Sequence, residues 1–177
     1  MSGRSDHGAV DAGQRYTEEQ TGRKRPCILV SACLLGVSCR YNGKGELHEG
    51  VLRLGQEATL IPVCPEIYGG LATPRDPAER KGDQVLTDKG ADVTAQYRKG
   101  AEAALHLARL SGCCCAVLKE RSPSCGCGQI YDGTHTRTLI PGSGVTAELL
   151  LQHGIPVFGE SETEQCQILY TEKCKIG

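Results

Sequence analysis

The chain has 177 residues, with 20 Lys and Arg against 21 Asp and Glu, a net charge of -1, and only 4% aromatic residues. That length suits one full domain rather than two of ordinary size, and the charge and aromatic content disfavour a large nucleic-acid surface, which relies on basic grooves and stacking. No apolar run approaches the roughly 20 residues of a membrane span, and the opening "MSGRSDHGAVDAGQRYTEEQTGRKR" lacks the apolar core of a signal peptide, so a cytoplasmic protein is expected.

Residues 1–25 read as an irregular polar tail, with a small basic cluster at Arg23, Lys24 and Arg25, and residues 26–177 as a single domain. "CILVSAC" (27–33) is a β-rich apolar run, "GELHEGVLRLGQ" holds a short helix, and "ATLIPVC" (58–64) is a second strand. The strongest helix signal lies in "DVTAQYRKGAEAALHLARLSG", where Ala101, Ala104, Leu105 and Ala108 fall at helical spacing and Gly112 stands where a helix C-terminal glycine belongs. It runs into a third buried-strand pattern, "CCCAVLK" (113–119). "GVTAELLLQHG" and "IPVFG" then predict a helix and a fourth strand, and the Ser161/Glu164 spacing predicts a capping box for a last helix reaching about Leu169.

Strands alternating with helices imply an α/β fold, a mostly parallel sheet flanked by helices in the Rossmann-like manner. Ligands on such sheets sit beyond the carboxyl ends of the strands. Cys33 ends the first strand, Cys64 ends the second, and Cys125 lies in the loop after the third, so parallel neighbours would bring three distant thiols to one edge.

The 11 cysteines, an odd number in a protein expected in a reducing compartment, point to metal or catalysis before disulfides. The stretch "CCCAVLKERSPSCGCG" (113–128) packs five of them with no C-x-x-C pair, and the chain offers no H-x-x-x-H. Structural zinc and thioredoxin-like redox sites both favour such paired spacings. Iron-sulfur clusters accept dispersed cysteines, and the Cys64-Pro65 step matches some cluster-binding loops. Three ligands would leave one iron open to substrate.

Three blocks carry a family resemblance: "VSACLLGVSCRYNGK" (30–44), "PVCPEIYGGLATPRDPAER" (62–80) and "LKERSPSCG" (118–126), with "IYDGTHTRTLIPGSGVTAELL" (130–150) as a further match. They closely resemble the thiouracil desulfidases, bacterial iron-sulfur enzymes formerly catalogued as a domain of unknown function. The resemblance implies a 4Fe-4S cluster held by Cys33, Cys64 and Cys125, one iron not ligated by protein, and a non-redox hydrolysis that turns a thiolated uracil such as 4-thiouracil into uracil and sulfide. Glu66 and Ser122 fall at the positions of the family's proposed catalytic pair.

In physical terms, thiolates are soft anionic ligands, and a thiocarbonyl sulfur prefers such an iron to water. Glu66 stands two residues after Cys64, so an extended chain would turn both side chains to one side. Lys119, Arg75 and Arg121 are candidates to offset the cluster's negative charge. Gly126 and Gly128 would let backbone N–H groups approach its sulfides.

Plainer roles stand beside these. Cys33 and Cys64 could be small buried hydrophobes. Cys39 is the runner-up ligand, and Cys127 a competitor of little weight. Cys113, Cys114 and Cys115 read as strand packing, because strand neighbours face opposite sides. Cys27, Cys166 and Cys174 carry no role. Glu66 could cap a turn or pair with Arg75, Ser122 could hold its loop, and His48, His106, His135 and His153 default to the surface. The alternatives to a small thiolated base as partner are 4-thiouridine in nucleotides or tRNA, and a non-enzymatic iron-sulfur or zinc module. The sequence leaves the oligomeric state open.

Overall fold

A computed structural model describes residues 25–175. The expected tail therefore lies outside the described residues except for Arg25. Its guanidinium donates to the carbonyls of Gly55 and Ala58 (2.6 and 3.0 Å).

Four strands form the central sheet: β1 (Cys27–Ser31), β2 (Thr59–Val63), β5 (Cys113–Leu118) and β8 (Val157–Gly159). They pair in the order β2-β1-β5-β8, every pair parallel. Both faces are covered, which is why β1 and β5 read as continuous apolar runs without alternation. Pro62 lies in β2, an edge strand, where its missing N–H does no harm.

One face packs Ile28, Val30 and Val117 against α1 (Glu49–Leu54) and α5 (Thr163–Lys175), through Val51, Leu54, Cys166 and Tyr170. The other packs Leu29, Ala116 and Leu118 against α3 (Thr94–Leu110) and α4 (Val145–Gln152), through Ala104, Leu105, Ala108, Ala147 and Leu150. The periodic alanines of α3 are the buried stripe that the sequence predicts. Gly112, at φ 61°, ends that helix in the left-handed conformation.

Between these elements lie features with no sequence expectation: the short helix α2 (Pro65–Tyr68) and two antiparallel hairpins, β3 (Ala78–Lys81) with β4 (Gln84–Thr87), and β6 (Gln129–Tyr131) with β7 (Leu139–Pro141). No helix among the described residues is long and apolar enough to cross a membrane.

Two local expectations are corrected. The register slips between Cys27↔Cys113 and Ile28↔Cys115, leaving Cys114 as an extra residue. This bulge puts Cys114 and Cys115 on the same face with their sulfurs 3.8 Å apart, while Cys113 faces the other side. The three remain packing residues. At α5, a 3-10 turn (Glu160–Glu162) precedes the helix, and the Glu162 carboxylate accepts the Gly159 N–H at 2.8 Å. Ser161 instead bonds the Glu120 carboxylate through its hydroxyl and its N–H, a tertiary partner that outcompetes the local cap.

Candidate active site

Because the strands are parallel, their carboxyl ends share one edge, and the three predicted thiols meet there. Cys33 sits in the 3-10 turn (Ala32–Leu35) that continues β1, Cys64 is the residue that caps α2 after β2, and Cys125 lies in the turn after β5. All three line a single cavity of about 630 Å³, and Cys39 lines it with them. Cys39 hydrogen-bonds through sulfur to both Cys33 and Cys64, and the Cys64 thiol also approaches the Cys39 carbonyl at 3.8 Å.

The hydrogen bond with Cys33 pushes the Cys39 thiol up to about 11. The bond with Cys39, reinforced by burial, raises Cys64 strongly. Burial pushes Cys125 up to about 12 against a lowering hydrogen bond from Ser31. Cys33, Cys64 and Cys125 are unbridged. Among the described residues no three His, Cys, Asp or Glu side chains converge as a single metal ion requires. A four-iron cluster asks for something different, because each thiolate takes its own iron at a separate corner. Three dispersed soft donors around a roomy cavity fit that group and do not fit zinc.

Glu66 reaches the cavity by a route the sequence reading missed. The chain does not stay extended after Cys64; Pro65 occupies the first helical position, where its fixed φ favours a turn, and Glu66 follows in the first turn of α2. Its Oε2 accepts from Arg75 Nε at 2.8 Å and lies 2.7 Å from Arg75 Nη2. The Tyr97 hydroxyl hydrogen-bonds the same carboxylate, and burial drives the Tyr97 pKa far up, so the phenol remains a donor. The pairing with Arg75 foreseen as a structural role is thus real.

Glycines let α2 and α3 touch. A Cβ on Gly100 would sit 1.9 Å from the Pro65 carbonyl oxygen, and one on Gly69 would sit 2.0 Å from the Gln96 oxygen. Both neighbours are backbone and cannot swing aside. Gly100→Ala is therefore expected to destabilise the fold by about 3 kcal/mol or more, at the upper end of overpacking penalties, measured as a lowered denaturant midpoint.

Ser122 holds the loop that presents Cys125. Its Oγ accepts the N–H groups of Ser124 and Cys125, both at 3.1 Å. With both lone pairs engaged, the hydroxyl proton is what Ser122 has left to offer the cavity it lines. The loop rests on the start of α4, where the Thr146 and Ala147 N–H groups bond the Ser124 carbonyl and the buried hydroxyls of Ser124 and Thr146 meet at 2.9 Å. Gly126 does not offer its N–H to a cofactor, because that group closes the turn onto the Ser122 carbonyl at 2.8 Å.

The rest of the lining mixes both signs, with Lys119, Arg121 and Arg137 beside Glu46, Glu79 and Glu120. Lys119 pairs with Glu160 and lies 3.7 Å from Glu46. Arg121, His135 and Arg137 line the cavity from left-handed backbone conformations, at φ 61°, 59° and 63°. Three non-glycine residues in that region around one opening are uncommon, because a Cβ disfavours it. The Glu79 carboxylate fixes part of it by accepting the N–H groups of Gly133 and His135 (3.1 and 2.9 Å).

His135 thus lines the cavity and is half-buried, where a surface position was the default expectation. His48 caps α1, its Nδ1 accepting the Val51 N–H at 3.4 Å, while His106 and His153 are exposed as expected. Tyr97 and Glu79 were also missed. Within the sequence Tyr97 reads as one more residue of an amphipathic stripe, and Glu79 as an ordinary charge.

A family model described as 2-thiouracil desulfurase matches residues 28–162. The uncharacterized protein YbbK of Bacillus subtilis (strain 168) is 44% identical over 145 residues, 76% of this chain and 96% of that protein. The solved structure of the 4Fe-4S-dependent thiouracil desulfidase TudS is similar at a TM-score of 0.79 and 44% identity, covering 83% of this chain and 99% of that one. With its matched segment running from β1 to the turn before α5, the chain belongs to the 2-thiouracil desulfurase family.

Proposed function

We propose that the protein is an iron-sulfur-dependent desulfidase that converts a thiolated uracil and water into uracil and hydrogen sulfide, without net oxidation or reduction. Cys33, Cys64 and Cys125 would hold a 4Fe-4S cluster and leave one iron without a protein ligand. The observation that carries this reading is the meeting of three thiols from three separate strand ends with Glu66 and Ser122 around one cavity. When bound, the cluster supplies a soft Lewis acid for the thiocarbonyl sulfur.

The chain's own groups do the rest. Glu66 lines the cavity with its carboxylate held by Arg75 through Oε2, and it is the group to accept a proton from the attacking water. Water oxygen joins the ring carbon, the carbon-sulfur bond breaks, and the proton on Glu66 becomes available to the departing sulfur. Ser122, with only its proton to offer, donates to a ring heteroatom or orients the water. The thiols need a reducing compartment, which suits a cytoplasmic location.

The test is anaerobic reconstitution with iron and sulfide, followed by iron counting, absorbance spectroscopy and a 4-thiouracil assay on one sample. About four irons per chain with sulfide release is the expected result; a chain that holds no iron defeats the reading.

Arg121 and Arg137 on the cavity lining favour a second reading, in which the base arrives as a thiolated nucleotide. Arg137→Ala is then expected to raise KM for 4-thiouridine monophosphate about tenfold, as loss of one phosphate contact would. KM for the free base should stay within about twofold. Equal effects on both substrates would rule that reading out.

A further inference from the structure

Arg75 is tied down more completely than a charge-balancing residue needs to be. Its Nη1 donates to the Ala72 carbonyl and the Thr73 hydroxyl, both at 3.1 Å. Its Nη2 donates to the Cys39 carbonyl at 3.0 Å and lies 2.7 Å from Glu66 Oε2, to which Nε also donates at 2.8 Å. The backbone is held as well, by the Arg75 N–H to the Tyr41 carbonyl at 2.9 Å.

All three guanidinium nitrogens are thus engaged, and they join the Cys39 loop, α2 and the 72–75 turn. The side chain is only 9% exposed. Both contacts to Glu66 fall on the same oxygen. The Tyr97 hydroxyl supports the carboxylate from α3, which touches α2 through Gly100 and Gly69. Such an arrangement fixes both the position and the rotation of a carboxylate.

We infer that Arg75, with Tyr97 behind it, is the positioning residue that locks the Glu66 carboxylate at the cavity. This rests on the desulfidase reading and adds to it. A planar guanidinium can serve three segments at once, whereas an ammonium is a point charge on a flexible stem and cannot. Charge alone and geometry therefore make opposite predictions for lysine. If Arg75 only balances anionic charge in the cavity, Arg75→Lys keeps its function; if it orients Glu66, that variant loses it.

The experiment compares wild type, Arg75→Lys and the milder Tyr97→Phe as anaerobically reconstituted proteins, each also in a Glu66→Gln background. It reads iron per chain, cluster absorbance, thermal midpoint, kcat and KM for 4-thiouracil, with residual rates taken from long single-turnover sulfide release. Arg75→Lys is expected to keep its iron and KM within about twofold while kcat falls about tenfold or more, the cost of a misplaced reacting group. Tyr97→Phe should show the same pattern at about threefold. In the Glu66→Gln background both changes should cost less than about twofold, because a residue acting through another has no effect once that partner is gone.

Full kcat in Arg75→Lys overturns the inference, as does an equal loss in both backgrounds. If Arg75→Lys loses iron or fails to fold, Tyr97→Phe decides, and unchanged kcat there overturns the inference. A Glu66→Gln enzyme running at the wild-type rate instead defeats the assignment of Glu66 itself, whatever the Arg75 variants do.

Discussion

Glu66→Gln is expected to leave iron per chain unchanged and to lower kcat for thiouracil desulfuration by a factor of about 100 to 10,000, the range for removing a positioned general base. Glutamine has nearly the same shape. Its amide oxygen can still accept from Arg75, so α2 and the cavity wall should persist, but it cannot take a proton from water. The carboxylate is only 15% exposed, and its Oε2 is already occupied by Arg75. Bulk water therefore has little opportunity to replace it. Sulfide release by the variant near the wild-type rate would move the base elsewhere. A binding module used for storage or sensing would be indifferent to the change, so one variant separates enzyme from non-enzyme.

The second large effect concerns the thiols. Replacing Cys33, Cys64 or Cys125 by alanine is expected to abolish stable four-iron incorporation, with absorbance and iron content falling together, while Cys39→Ala retains the cluster. Each deleted thiolate removes the anchor for one corner, and a cluster left with two protein ligands is poorly held. Cys39 makes the comparison informative. It is 2% exposed, bonds to the sulfurs of Cys33 and Cys64, and lines the same cavity. If Cys39→Ala loses iron and Cys33→Ala keeps it, the ligand set is Cys39, Cys64 and Cys125. The folded state should survive in these variants. Cys33 and Cys125 are buried at the edge of the two core layers and Cys64 packs against one of them, but each lies beyond the end of its strand and a thiol is a small group to delete.

Much of this arrangement is written locally. The apolar runs of β1, β2 and β5, the alanine stripe of α3 and the glycines after α3 and α4 encode burial and chain direction through side chains only a few residues apart. The cysteines at the ends of those runs, with the "PVCPE" and "SPSCG" blocks, place the candidate site in the sequence before any contact is known. What pattern reading lacks is the partner of each element. The β3-β4 and β6-β7 hairpins have strands of three or four residues, too short for alternation to register. The bulge at Cys114 exists only because β5 pairs with β1.

The sequence by itself determined the α/β class and the order of the main elements, and its resemblance to the thiouracil desulfidases singled out three thiols with Glu66 and Ser122 as the chemistry to test. Only the tertiary structure decided that β1 and β5 lie side by side, so that loops tens of residues apart share one cavity. It likewise decided that Pro65 turns Glu66 into a helix against Arg75 and Tyr97, and that Arg121, His135 and Arg137 gather on one rim. The physical reason is the range of the forces involved. Periodicity and capping act over one or two turns of chain, whereas long-range contacts form only when packed elements repay the entropy of bringing them together.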